Sequence, residues 1–130
     1  MHEIDKLTER IIGCAMEVHR QLGPGYLESV YEKALSIELR ETGLECANQV
    51  SIPVFYRSQP VGDFVADVIV EGKVIVELKA CQELHVQHEA QLVNYLSATG
   101  IDNGLLFNFG APSLQFKRKF RLYQPKPQSC

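Results

Sequence analysis

Two carboxylates and a lysine fall close together in one predicted β-hairpin. Asp67 precedes a short turn at residues 71–73, and Glu77 and Lys79 follow it. If this turn is a three-residue loop, Asp67 lies directly opposite Glu77 on the neighbouring strand. Residues two apart on a strand share a face, so Lys79 then lies on the same face as Glu77. A two-residue turn would instead place the two carboxylates on opposite faces.

This arrangement is suited to holding a divalent cation near a phosphate group. Cross-strand Cβ atoms are ~5 Å apart, and two carboxylates that close repel each other unless a cation lies between them. Mg²⁺ commonly takes one or two carboxylates together with water and phosphate oxygens. Lys79 would then orient the attacking water, help to deprotonate it, or stabilise the negative charge that develops on the phosphate.

The same residues also fit a solvent-exposed sheet face. One face of an antiparallel sheet is often exposed to water, and Lys79 would there form an ion pair with Glu77 or Asp67 that contributes under ~1 kcal/mol. Spacing alone leaves both interpretations open. The opposite face of the hairpin is entirely apolar, and we expect it to belong to the core: Phe64, Ala66, Val68, Val70, Val74, Val76 and Leu78.

Other polar residues allow both a chemical and a structural role. Glu28 lies in the first turn of a predicted helix, where its charge complements the helix dipole. Gln91 and Tyr95 lie four residues apart on another predicted helix and therefore share a face. They would reach a substrate phosphate or the attacking water, or else form a hydrogen-bonded pair at the core boundary. Three histidines lack the ligand spacing of a metal site and are predicted as surface residues: His19, His85 and His88.

The composition is that of a small globular domain. The chain has 130 residues, of which 45% are hydrophobic and 22% charged, which favours one compact domain over a disordered chain. No apolar run approaches the ~18 residues of a membrane-spanning helix, and the N-terminus lacks the features of a signal peptide. The cysteines, at positions 14, 46, 81 and 130, have no metal-site spacing and indicate reduced thiols in a cytoplasmic protein.

Charge is divided unevenly along the chain. Residues 1–102 contain all 16 acidic residues and only eight basic ones. Residues 103–130 contain no acid, and their basic residues are Lys117, Arg118, Lys119, Arg121 and Lys126. Such a segment is able to bind phosphates, and it equally fits an edge strand that its charges protect from pairing with other chains.

Hydrophobic periodicity predicts three helices and four or five strands around these residues. The predicted helices are at about 3–22, 26–42 and 83–98, and the predicted strands at 49–56, 63–70, 74–80, 104–109 and, as a fifth, 115–123. The order ααβββαβ(β) indicates a mixed central sheet flanked by helices, an α/β or α+β fold, in one domain over residues 1–123. Residues 124–130 are predicted to form a flexible tail.

Several short motifs, taken in order, resemble one protein family. Gly25, Glu28 and Tyr31 form the pattern Gly-x-x-Glu-x-x-Tyr. The similarity covers about residues 5–121 and continues through Ala66-Asp67-Val68, Val76-Glu77-Leu78-Lys79, and the segments 88–96 and 104–110. The sequence therefore resembles the GxxExxY proteins, small bacterial and archaeal members of the PD-(D/E)XK nuclease superfamily. The core that this resemblance implies, αβββαβ with a restriction-endonuclease-like mixed sheet, agrees with the predicted order of elements.

The resemblance implies a metal site in the hairpin. Asp67 matches the aspartate of the superfamily's first motif, and Glu77 and Lys79 match its Glu-x-Lys motif. Glu28 matches a helix glutamate that many members add to the metal site. The implied ligands of Mg²⁺, or of Mn²⁺, are thus Asp67, Glu77 and Glu28, and Lys79 would position the nucleophilic water. Ala66 stands where the first motif has a proline, which many members lack.

Further residues are expected to contact the substrate. Gln91 and Tyr95 match the Gln-x-x-x-Tyr motif of exonuclease-type members, which implies that Gln91 orients Lys79 or the scissile phosphate. The expected substrate-binding residues are Tyr95, Tyr31, Lys117 and Arg118.

The function that the resemblance implies is hydrolysis of phosphodiester bonds in DNA or RNA by a metal-dependent nuclease. One alternative is a non-catalytic module on the same fold that binds a nucleic acid or a protein; another is a site near Glu28 for a small phosphorylated ligand. We expect a homodimer, because one small domain covers little of a duplex and two-fold symmetry matches its two strands. We also expect a raised pKa for Glu77, which would share a partly buried cleft with Asp67 and Glu28.

Overall fold

The computed structural model describes residues 3–121, which form three α-helices and five β-strands. The helices are α1 (Glu3–Leu22), α2 (Glu28–Glu41) and α3 (Val86–Thr99), and the strands are β1 (Cys46–Tyr56), β2 (Gln59–Val70), β3 (Val74–Lys79), β4 (Asn103–Asn108) and β5 (Gln115–Phe120). Every predicted element is present within a few residues of its predicted limits, and the fifth strand forms. The predicted tail at 124–130 lies outside the described residues, and the domain limit at residue 123 stays a prediction.

The sheet is mixed, as predicted. Its strands lie in the order β1-β2-β3-β4-β5, in which β3 and β4 are parallel and the other neighbours are antiparallel. A parallel pair needs a crossover connection, and α3 forms part of the connection between these two strands. The result is an α+β fold with helices on both faces of one sheet. No helix within residues 3–121 is long and apolar enough to cross a membrane.

The side chains of β3 are buried on both faces of the sheet. Val74 and Val76 pack with α1 and α2 in a first core, whereas Ile75 packs with α3 in a second core. A strand that is covered on both faces has an uninterrupted apolar run, which explains this Val-Ile-Val sequence. Each fully buried side chain of this size contributes about 1.5–3 kcal/mol to folding.

The β1–β2 hairpin has an inner half (residues 46–48 and 68–70) and an outer half nearer its turn (residues 50–66), and the two halves face different cores. Val68 belongs to the first core, but Ala66 belongs to the second, and Phe64 is 45% exposed with its ring centroid 5.7 Å from that of Tyr95. The prediction that Phe64 and Ala66 share a core face with Val68 is therefore wrong. The change of face lies between Val68 and Ala66, beside Gln49 in β1, which has no β2 partner and has a φ of 51°. The hairpin thus turns toward α3.

Candidate metal-binding and catalytic site

The turn between β2 and β3 is the three-residue loop that the sequence predicts. Val70 pairs with Val74 across it. Gly72, in the middle of the loop, has a φ of 64°, which glycine adopts without steric strain. This loop length places Asp67 opposite Glu77, and these two residues form a carboxylate pair.

Each member of the carboxylate pair accepts a hydrogen bond from the backbone of the opposite strand. The N–H of Asp67 donates to Oε2 of Glu77 at 3.1 Å, and the N–H of Leu78 donates to Oδ2 of Asp67 at 2.9 Å. Regular pairing between β2 and β3 ends at Val68 and Val76. The two side-chain hydrogen bonds therefore replace the backbone hydrogen bonds between β2 and β3 where the strands separate, and they fix the positions of both carboxylates.

Burial and repulsion act together on Glu77. This residue is 5% exposed, and burial, followed by the hydrogen bond and the negative charge of Asp67, raises the pKa of Glu77 to about 9. The N–H of Asp67 and the charge of Lys79 oppose the rise without cancelling it. Without a cation, Glu77 therefore carries a proton at neutral pH. The predicted direction of the shift is confirmed, with Asp67 rather than Glu28 as the neighbouring carboxylate.

The donor set of the carboxylate pair fits a hard divalent cation. Two facing carboxylates offer oxygen ligands only, which is the ligand chemistry that suits Mg²⁺ and Mn²⁺. Each carboxylate has a second oxygen besides the one that accepts a backbone hydrogen bond. A dication between the two groups would also remove the repulsion that keeps Glu77 protonated.

Lys79 ends β3 beside the carboxylate pair. Its positive charge opposes the rise in the pKa of Glu77, and together with burial, the larger cause, it lowers the pKa of His88. In the part of the chain that the structure describes, no ion pair joins Lys79 to Asp67 or Glu77. Because Glu77 is buried and Lys79 is not paired with it, these residues do not form the solvent-exposed face of paired charges that was the alternative prediction.

Asn108 is a buried polar residue for which no role was predicted. Its Oδ1 accepts hydrogen bonds from the N–H groups of Cys81 and Gly110, both at 3.0 Å. Asn108 is also the β4 partner of Lys79, so its side chain fixes the segment that follows this lysine. The approach is close at Gly110, where a Cβ would lie 2.4 Å from the carbonyl oxygen of Cys81. The available signal was one polar residue within the apolar run at 105–109.

Gln91 and Tyr95 both border one cleft. They line a cavity of about 860 Å³ between α3 and the outer half of the β1–β2 hairpin. Tyr95 is buried, and its pKa is raised by burial and then by the charges of Glu77 and Asp67. Tyr95 therefore lies near the carboxylate pair, whereas Gln91 is exposed to the cleft one turn earlier. Their roles toward a substrate stay predictions.

Glu28 is not brought to the carboxylate pair. It is exposed in the first turn of α2, and residues 3–121 contain no metal-binding cluster of three His, Cys, Asp or Glu side chains. Tyr31 is fully buried, with its ring stacked on Phe109 at 4.6 Å and its O–H donating to the carbonyl of Gly23. These contacts make Tyr31 a core residue on the α2 side rather than a substrate contact.

Lys117 and Arg118 lie on opposite faces of the edge strand β5. Lys117 pairs with Leu106 of the second core, and Arg118 pairs with Leu105 of the first core. The predicted phosphate contacts therefore do not form one surface, and their place at the sheet edge fits the protective interpretation. Ion pairs hold three basic residues of this part: Arg118 to Asp5, Lys119 to Glu89 and Arg121 to Asp102. Lys126 lies outside the described residues.

One of the three histidines differs from the prediction. His19 is buried, with Nε2 2.9 Å from the carbonyl oxygen of Ala111, so it belongs to the packing of α1 and not to the surface. His85 is exposed, and its N–H donates to Nδ1 of His88 at 3.2 Å in a bond that caps α3. The sequence could not separate these cases, because each histidine alone fits either environment.

The architecture is similar to that of a solved structure. The crystal structure of SSO0001 matches with a TM-score of 0.60 and 15% sequence identity, over 75% of this chain and 52% of that chain. This chain thus spans about half the length of SSO0001, and at this identity the likeness shows the fold alone. No curated protein matches the sequence.

A protein-family model matches most of the sequence. The model of the PD-(D/E)XK nuclease superfamily covers residues 5–119, which include the hairpin with the carboxylate pair and the whole of α3. The narrower resemblance to the GxxExxY proteins stays a prediction. Because the family match spans nearly the whole chain and the mixed sheet has the expected order, this protein belongs to the PD-(D/E)XK nuclease superfamily.

Proposed function

We propose that this chain is a nuclease that depends on a divalent cation and hydrolyses phosphodiester bonds in DNA or RNA. The observation that carries the proposal is the exchange of hydrogen bonds that holds Asp67 and Glu77 facing each other. A sheet that needed only stability would gain from apolar residues at such positions, because burying one carboxylate beside another is costly. Membership of the superfamily supports the same function.

Asp67 and Glu77 are the residues that would hold Mg²⁺ or Mn²⁺. When bound, the cation supplies positive charge to the phosphate and lowers the pKa of a water molecule. A contribution of Glu28 through water is a separate proposal. Glu28→Gln tests it, because a weaker affinity for the cation would support this role and an unchanged affinity would remove it.

Lys79 is proposed to hold the attacking water and to stabilise negative charge on the phosphate. The ammonium group is close enough to influence Glu77 electrostatically. Asn108, which fixes the segment after Lys79, would act as a positioning residue. Gln91 is proposed to orient Lys79 or the scissile phosphate, and Tyr95 to contact the substrate from the cleft.

Cleavage assays on wild type and Glu77→Gln test the proposal. Each protein is incubated with labelled single- and double-stranded DNA and RNA, with Mg²⁺ or Mn²⁺ and with EDTA. We expect wild type to cleave at least one substrate only when the cation is present, and Glu77→Gln to lose this activity. Glutamine has the shape of protonated glutamic acid, so circular dichroism should show an intact fold. Glu9→Gln, the same change at an exposed position of α1, should cleave as wild type does.

The alternative function predicts a different result in the same assays. If no substrate is cleaved and wild type and Glu77→Gln bind nucleic acid equally, the protein is a non-catalytic binding module on the nuclease fold. A homodimer is a further part of the proposal. Sedimentation velocity tests it, and a monomer at high micromolar concentration would remove it.

A further inference from the structure

The cleft beside the carboxylate pair has two chemically different walls. Its volume is about 860 Å³. The wall formed by the β1–β2 hairpin is apolar and includes the rings of Phe55 and Phe64. The wall formed by α3 includes the primary amides of Gln87, Gln91 and Asn94. Within the described residues, no acidic or basic side chain lines this cleft.

The hairpin wall leaves aromatic surface open to solvent. Phe55 is 59% exposed, and Phe64 is 45% exposed even though one side of its ring packs near Tyr95. Gly62 leaves the space that this ring occupies, because a Cβ at Gly62 would lie 3.3 Å from Cε2 of Phe64. The hairpin therefore supports an aromatic ring whose exposed part borders the cleft.

The amides of the helix wall lie along one side of α3. Gln87, Gln91 and Asn94 are separated by four and three residues, which places them on the same helix face. All three are exposed and line the cleft. Each primary amide offers two donor hydrogens and one acceptor oxygen, so this wall is able to pair with a ligand that carries both donors and acceptors.

Tyr95 connects the cleft to the carboxylate pair. It lines the cleft and packs in the second core with Ala66, the neighbour of Asp67 on β2, and with Ile75, which lies two residues before Glu77 on the same face of β3. A nucleic acid with one phosphate at the carboxylate pair would therefore place the adjoining nucleotide at the cleft.

We propose that this cleft binds an unpaired nucleobase next to the scissile phosphate, so that the substrate is a single-stranded nucleic acid. The inference rests on the proposed nuclease function and names its substrate class. A nucleobase has a face that stacks on aromatic rings and polar edges that hydrogen-bond to amides, which is the combination that the two walls offer.

Other ligands fit this cleft less well. A phosphate group would need cationic partners, which the lining does not provide. The bases of an intact duplex are stacked on both faces and paired at their edges, so they would have to leave the helix to enter. An apolar side chain of a protein partner would cover the rings but leave the amides of Gln91 and Asn94 unpaired.

Binding of fluorescent oligonucleotides in EDTA tests the cleft separately from cleavage. The probes are a strand of about 20 nucleotides, the same strand with abasic sites in its central part, and the matching duplex, all followed by anisotropy. We expect the full chain to bind the intact strand about tenfold or more tightly than the abasic strand or the duplex. Phe64→Ala should weaken binding of the intact strand by about 5- to 100-fold, as expected for the loss of one stacked base.

Two further variants show whether the effect is specific to the rings of the cleft. Phe120→Ala is the matched control, because Phe120 is 62% exposed on β5 and does not line the cleft. It should bind every probe as wild type does. Phe55→Ala removes the other ring of the hairpin wall without touching the contact with Tyr95, and it should also weaken binding of the intact strand. Thermal melts followed by circular dichroism confirm that each variant is folded.

Several outcomes would overturn the nucleobase site. One is equal binding of the intact and abasic strands, and another is an equal effect of Phe64→Ala and Phe120→Ala. A third is a wild-type dimer that Phe64→Ala dissociates, together with probes that show no base-dependent affinity. The two proposals also fail separately. Base-dependent binding without metal-dependent cleavage would keep this site and remove the nuclease function. Cleavage of duplex and single strand that is unchanged in Phe64→Ala would remove this site and keep the nuclease function.

Discussion

The two faces of the central sheet differ in how completely helices cover them. On the first face, α1 and α2 bury large side chains such as Tyr31, Phe107 and Phe109. On the second face, α3 packs over Ile75 and Leu106 but leaves a cleft beside the outer half of the β1–β2 hairpin. The carboxylate pair and the exposed amides lie on this less covered side.

Polar groups on the two faces also have different partners. On the first face they are satisfied within the chain, as when His19 bonds to the carbonyl of Ala111. On the second face, Glu77 is buried beside the carboxylate of Asp67, and three amides are exposed to the cleft. We therefore expect the first face to supply most of the folding free energy, while the second retains groups that an external ligand would satisfy.

The largest expected difference between the faces is in packing. Phe107→Ala removes a fully buried ring from the first core and should lower the free energy of unfolding by about 3–5 kcal/mol. Phe64→Ala, the same change on the second face, removes a ring that is 45% exposed and should cost only about 1 kcal/mol. Urea denaturation of both variants measures the difference, and equal losses would contradict the assignment of stability to the first face.

The second face should also make stability depend on pH. Glu77 has a pKa of about 9 in the folded chain against an ordinary value of 4.5, so between these values the folded state holds one more proton than the unfolded state. In EDTA, the free energy of unfolding should therefore fall as pH rises from about 4.5 to 9, by up to about 1.4 kcal/mol per pH unit.

Glu77→Gln isolates this contribution, because glutamine does not titrate. Denaturation of wild type and Glu77→Gln at several pH values should give curves that diverge as pH rises, with the variant more stable at high pH. Parallel curves would mean that Glu77 ionises normally and that the carboxylate pair is not coupled.

A smaller effect on stability is expected at Asn108, the β4 partner of Lys79. Asn108→Ala leaves the N–H groups of Cys81 and Gly110 without their acceptor and should lower the free energy of unfolding by about 1–3 kcal/mol. Asn108→Asp keeps an acceptor oxygen but loses the amide that donates to Oε1 of Gln115 and places a carboxylate at a fully buried position, so it should recover only part of this loss. If Asn108 positions Lys79, the alanine variant should also lower kcat more than it raises KM. A change in stability alone, with kcat and KM unchanged, would limit Asn108 to a structural role.

The smallest predicted effects concern Lys117 and Arg118 of β5. Lys117→Ala and Arg118→Ala should each change stability by less than about 1 kcal/mol, because both are surface charges. Of these two residues, only Lys117 shares the second face with the carboxylate pair. Lys117→Ala should therefore weaken nucleic-acid binding and reduce its salt dependence by about one charge, whereas Arg118→Ala should do neither. Equal effects of the two variants would show that binding does not distinguish the faces.

Local pattern predicted the elements and the hairpin that carries the carboxylate pair. Alternation, turn chemistry and the three-residue loop at 71–73 depend on neighbouring residues, so they bring Asp67 opposite Glu77 without knowledge of the rest of the fold. The burial of Glu77 and the resulting shift of its pKa depend on how α3 packs against the sheet. The sequence pattern predicted α3 but not its position on the sheet.

The misplaced residues were those whose position depends on a local change of face or on distant contacts. The β1–β2 hairpin changes face between Val68 and Ala66, beside the positive φ of Gln49, and no local pattern in the sequence marks this change. Burial of Tyr31 and His19 depends on partners far along the chain, such as Ala111. The proximity implied for Glu28 rested on the resemblance, and the structure leaves this residue exposed.

The central claim is that Asp67 and Glu77 together bind a divalent cation, and calorimetric titration with Mn²⁺ at neutral pH tests it most directly. Wild type should bind one Mn²⁺ per chain, Glu9→Gln should bind it equally well, and Glu77→Gln and Asp67→Asn should bind it at least about tenfold more weakly. Wild type that binds no cation, or variants of the carboxylate pair that bind it as tightly as wild type, would contradict the claim.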